Sequence, residues 1–91
     1  MGRLVGSKPI EFKFHAPQAK RVTLAGSFNN WDPKALSAKK DPKGNWVVKA
    51  KLNTGRHEYK FFVDGSWFND PRCNSCVTNA FGTQNCVIEI K

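Results

Sequence analysis

Hydrophobic and polar residues alternate along most of this chain, and that period of two is the signature of half-buried strands. Ile10, Phe12 and Phe14 alternate with Glu11, Lys13 and His15, and Val22 and Leu24 alternate with Arg21 and Thr23. Further on, Trp46, Val48 and Ala50 alternate with Val47, Lys49 and Lys51. Tyr59, Phe61 and Val63 alternate with Glu58, Lys60 and Phe62, and Cys86, Ile88 and Ile90 with Val87, Glu89 and Lys91. Successive side chains of a strand point to opposite faces, so each apolar set lines one face. No stretch carries a helical period.

Turn residues punctuate these runs. Ala16-Pro17 ends the first, and Asn29-Asn30 with Asp32-Pro33 breaks the chain after the second. Asp41-Pro42-Lys43-Gly44 combines a fixed φ at Pro with the freedom of Gly, and Asp64-Gly65 is a strong two-residue hairpin signal. Asn53-Thr54-Gly55 links the third and fourth runs at hairpin spacing. Asp70-Pro71 opens a polar loop that is expected to run to about Gly82. Short strands with turns at this spacing predict an all-β fold, an immunoglobulin-like β-sandwich. Residues 1–8 read as a loose lead-in and residues 9–91 as one domain.

Composition narrows the picture. A chain of 91 residues holds one domain with a modest core. Seven Phe, three Trp and one Tyr exceed what that core needs, so some aromatic surface is expected to face outward. The net charge of +8 comes from scattered Lys and Arg. Even the densest cluster, Lys34 to Lys43, is interrupted, so the charge reads as solubility and no specific nucleic-acid partner is expected. No apolar run approaches the roughly 20 residues of a membrane span. The Met-Gly start lacks the apolar core of a signal peptide, and Gly6 stands where a myristoylation motif wants Ser or Thr. The expected location is the cytoplasm.

Cys73, Cys76 and Cys86 make an odd count, which is no disulfide framework. A zinc site would need Cys86 with His15 or His57 beside the single CxxC, so the reading is reduced thiols without metal or cofactor. Catalysis is not expected. Asp32, Asp41, Asp64 and Asp70 stand at turns, Glu11, Glu58 and Glu89 lie on strand faces, and no carboxylate pair is singled out for glycoside hydrolysis.

Several polar and aromatic residues remain at strand ends. Trp31 follows Gly26-Ser27-Phe28-Asn29-Asn30, Trp67 follows a hairpin tip, and Thr83-Gln84-Asn85 precedes the last strand. Trp46, by its alternation, belongs to the core. A pyranose offers a C–H face that stacks on aromatic rings and a hydroxyl rim that needs fixed polar groups. Trp31 and Trp67 suit the face, and Lys60, Thr83 and Asn85 suit the rim.

The words Gly26 to Trp31, His57 to Trp67, Asp70-Pro71 and Asn79 to Asn85 closely resemble carbohydrate-binding module family 48. That family includes the glycogen-binding domain of AMP-activated protein kinase β subunits and the N-terminal domains of branching enzymes and isoamylases. The resemblance spans roughly residues 9–91. It implies that Trp31 and Trp67 cradle glucose rings, that Lys60 and Asn85 hydrogen-bond hydroxyls, and that Thr83 adds a contact. Where the kinase domain has Leu this chain has Phe81, which either adds a third stacking platform or narrows the pocket. The implied function is non-catalytic binding of α-1,4-linked glucans. The alternative is a protein-interaction or spacer module that packs on a glucan-active enzyme or a kinase complex.

Overall fold

The computed structural model describes residues 8–73 and 75–91. The expected lead-in lies outside these residues except for Lys8, which opens the first strand. Among the described residues nine strands follow in order: β1 (Lys8–His15), β2 (Val22–Gly26), β3 (Leu36–Ser37), β4 (Lys39–Lys40), β5 (Asn45–Leu52), β6 (Gly55–Val63), β7 (Ser66–Phe68), β8 (Ser75–Thr78) and β9 (Gln84–Ile90). One 3-10 turn, Ser27–Asn29, follows β2, and no α-helix occurs among the described residues.

The strands form two antiparallel sheets. One has the order β1-β5-β4; the other has the order β3-β2-β6-β9-β8, with β7 paired to β6 beyond the reach of β9. Their apolar faces meet in one core, the β-sandwich that the alternation predicts. Phe12, Trp46, Val48 and Leu52 come from the smaller sheet, and Val22, Leu24, Tyr59, Phe61, Cys86 and Ile90 from the larger. Phe14 and Phe61 join the layers with ring centroids 4.8 Å apart. Each such apolar side chain contributes about 1.5–3 kcal/mol by burial. Trp46 is a core residue as expected, and its Nε1 donates to the Ala16 carbonyl at 2.8 Å, so its one polar atom is satisfied.

Two turn expectations hold. Asp64 and Gly65 take left-handed φ of 47° and 89° and close the β6–β7 hairpin, with Val63 opposite Ser66. Asp41 closes the β4–β5 hairpin, its Oδ1 accepting from the Lys43 and Asn45 amides at 2.8 and 3.0 Å.

Two others need correction. Asn53 and Thr54 do not close a hairpin: β5 pairs with β1 and β4, whereas β6 pairs with β2, β7 and β9, so this link passes between sheets. The spacing suited a hairpin, but both strands bring long apolar faces that are buried by facing each other across the core. The stretch after Asp70 is not one long loop either. Ser75–Thr78 forms β8, an edge strand whose ladder to β9 supplies hydrogen bonds that its polar sequence did not advertise.

Candidate functional site

Strand β6 divides the molecule. Tyr59, Phe61 and Val63 enter the core, so Glu58, Lys60 and Phe62 line the outer face of the larger sheet. Trp67 on β7 is the register partner of Phe62 and shares that face. The rings of Phe62 and Trp67 lie 4.7 Å apart, centroid to centroid.

Trp31 reaches the same place by a built turn. The Asn29 side chain accepts from the Gly26 amide at 3.0 Å and donates to the Leu24 carbonyl at 3.2 Å. The Trp31 amide then donates to the Gly26 carbonyl at 2.9 Å. Asn29 therefore shapes the loop, as expected of it. Asn30 and Trp31 both have a φ of 58°. Asn tolerates this left-handed conformation, but a Trp there stores strain of order 1–3 kcal/mol, which the fixed turn must hold in place. The turn also leaves no room at Gly26, where a Cβ would stand 2.4 Å from the Glu58 carbonyl oxygen and 2.5 Å from the Phe28 ring.

The result is an aromatic corner. Trp31 and Trp67 meet edge to face, their centroids 6.3 Å apart and their planes at 72°. Trp67 is 44% exposed, Trp31 and Phe62 are half-buried, and Lys60 follows along β6 on the same face.

A polar cluster stands at the other end of that row. Asn79 organises the turn between β8 and β9. Its Oδ1 accepts from the Phe81 and Thr83 amides at 2.9 and 3.2 Å, and its Nδ2 donates to Thr83 Oγ1 at 2.8 Å and Asn85 Oδ1 at 3.0 Å. Asn85 is buried, and its Nδ2 donates to Glu58 Oε1 at 3.1 Å. The turn lifts Phe81 to 91% exposure, without aromatic contact to either Trp among the described residues. The structure thus unites Trp31 with Trp67, and Thr83 with Asn85, on either side of Lys60. It leaves Phe81 projecting alone. Asn79 and Glu58 were not foreseen; the only signal in the sequence was that an Asn opens the polar turn.

The aspartates are taken up locally. Asp32 accepts from the Lys34 amide at 2.9 Å and Asp64 from the Arg21 amide at 2.8 Å. Asp70 accepts from Tyr59 Oη at 2.8 Å and the Arg72 amide at 2.9 Å. Burial, then the hydrogen bond to Asp70, pushes the Tyr59 hydroxyl well above its ordinary range. Cys86 lies beside this pair, and burial followed by contact with Cys73 pushes its thiol up to about 12. His15 and His57 are engaged elsewhere, with Asn45 Oδ1 and the Asn53 carbonyl, each at 2.9 Å.

An all-β sandwich with ordered aromatics and amides on one exposed sheet face is built as a carbohydrate-binding module. The chain belongs to the family described as the glycogen recognition site of AMP-activated protein kinase, whose model matches residues 8–91. It is 44% identical over 85 residues to the 5'-AMP-activated protein kinase subunit beta-1 of Homo sapiens and 46% identical to that of Bos taurus, in each case over 93% of this chain. It is 43% identical to the subunit beta-2 of Mus musculus over 79% of this chain. The chain spans about 30% of the length of the beta-1 relatives and 26% of the beta-2 relative.

Proposed function

We propose that this chain binds α-1,4-linked glucans such as glycogen, starch or maltooligosaccharides, without acting on them chemically. The observation that carries this reading is the Trp31–Trp67 corner, two rings set at 72° on an exposed face. A helical glucan presents successive sugar faces at an angle, and two inclined rings suit adjacent residues of such a curve. Lys60 donates to hydroxyls from the middle of the row, Thr83 and Asn85 act at its polar end, and Phe81 offers a third apolar surface to a longer chain. With its ends shared between Asn79 and Glu58, Asn85 offers a sugar its remaining amide hydrogen. Binding rather than catalysis is supported by the local use of the aspartates. Residues 9–91 act as one module, working in the cytoplasm.

The relatives are kinase β subunits, which supports a kinase complex, or alternatively a glucan-active enzyme, as the assembly this module serves. Affinity electrophoresis in a glycogen gel tests the sugar reading. The wild type is expected to be retarded, and Trp31→Ala and Trp67→Ala to migrate as in a gel without glycogen. Equal retardation of all three overturns the stacking role.

A further inference from the structure

The cysteines gain a role that their spacing did not suggest. Cys76 and Cys86 are register partners across β8 and β9, and Cys73 comes from the segment that follows Asp70. The three Sγ atoms all lie within 4.8 Å of one another, and those of Cys73 and Cys76 are 3.6 Å apart. A zinc–thiolate bond is about 2.3 Å long, which in a tetrahedral site separates sulfurs by about 3.8 Å. The cluster is therefore at coordination spacing within a small rotamer change.

Its surroundings suit a metal site with an entry path. Cys86 is buried, Cys73 half-buried and Cys76 exposed, so the sulfurs run from the core to the surface. The Asp70 amide donates to Cys86 Sγ at 3.2 Å, the kind of supporting bond that fixes a ligating sulfur. A disulfide would use two of these sulfurs and leave the third unexplained.

We infer that Cys73, Cys76 and Cys86 form a three-sulfur site for a thiophilic closed-shell cation, Zn2+ or Cu+, separate from the glucan face. Soft thiolates select these ions, and no His or carboxylate completes the group among the described residues. The fourth position of Zn2+ is then left to water or an added ligand, whereas Cu+ is satisfied by three sulfurs. The ion replaces three S–H protons, which leave to solvent. Its mechanical effect is to clip the segment after Asp70 and the edge strand β8 onto β9.

Anaerobic titration of the reduced chain with Zn2+ and, separately, Cu+, each against a chromophoric chelator, tests the site. Native mass spectrometry is expected to show one ion per chain for at least one of the two metals. That ion is expected to protect all three thiols from alkylation and raise the melting temperature, with a chelator reversing both effects. The exposed position of Cys76 makes Cys76→Ser the informative variant, because it leaves the core intact; its affinity is expected to fall at least tenfold. Absence of one-to-one binding by either ion overturns the inference. So does binding that Cys76→Ser leaves unchanged, or oxidation to a disulfide in a chain whose reduced form takes no ion.

Discussion

Trp31, in the turn after β2, and Trp67, on β7, stand 36 positions apart in sequence, yet their rings meet edge to face at 6.3 Å. Neither is held by the other alone. Trp31 is aimed by the Asn29 turn and Trp67 by its pairing opposite Phe62. Phe62→Ala is therefore expected to weaken glycogen retardation severalfold by freeing the Trp67 ring, while circular dichroism still reports a folded β protein.

Asn79 spends its whole side chain on the turn that carries Phe81 and Thr83 and on the buried amide of Asn85. Asn79→Ala removes four hydrogen bonds at once and leaves the Asn85 carbonyl short of a partner. It is expected to cost about 1–3 kcal/mol in urea unfolding and to lower affinity for maltooligosaccharides, with Trp31 and Trp67 untouched.

Gly26 is extended, with φ of −171°, so its requirement is space. A methyl group there meets the Glu58 carbonyl at 2.4 Å, and backbone cannot swing away as a side chain would. Gly26→Ala is expected to lower the melting temperature and to displace the Trp31 turn, read as a loss of glycogen binding larger than the loss of fold.

Tyr59 gives a pH dependence at the alkaline end. Its hydroxyl ordinarily loses its proton near 10.0, and in the fold that loss is shifted upward. Stability from this group is fully present below pH 10, where both states keep the proton. It falls as pH rises above 10, because the unfolded chain releases a proton that the folded chain retains. In the reduced chain kept free of metal by a chelator, Cys86, raised to about 12 from 9.0, adds a loss of the same sign that begins near pH 9. Urea unfolding across pH 8 to 11 is expected to show this decline, and Tyr59→Phe to reduce it. That variant also leaves a buried Asp70 oxygen without its donor, at a cost of about 1–3 kcal/mol at neutral pH.

Much of this was legible in the sequence because burial enforces a period of two. Each predicted strand appears, and the inward residues of β6 and β9 are those the alternation marks. The short strands β3, β4, β7 and β8 were not legible, since edge strands of two to four residues bury too little to leave a pattern. The link through Asn53 misled because its length fits a hairpin and a passage between sheets equally well. Trp31, Lys60 and Trp67 stood out as aromatic and polar residues outside the core pattern. Asn79 and Glu58 did not, because their roles are hydrogen bonds to residues that only the fold brings near. The cysteine cluster was hidden for the same reason: Cys86 joins Cys76 through strand register rather than through spacing.

The most direct measurement is a calorimetric titration of the intact chain with maltooligosaccharides of increasing length, at low and high salt. A saturable one-to-one isotherm that tightens with chain length, barely changes with salt and disappears in Trp67→Ala is the predicted result. Heats that never saturate at any length, or binding that collapses with added salt and survives Trp67→Ala, would contradict recognition of glucan by the Trp31–Trp67 corner.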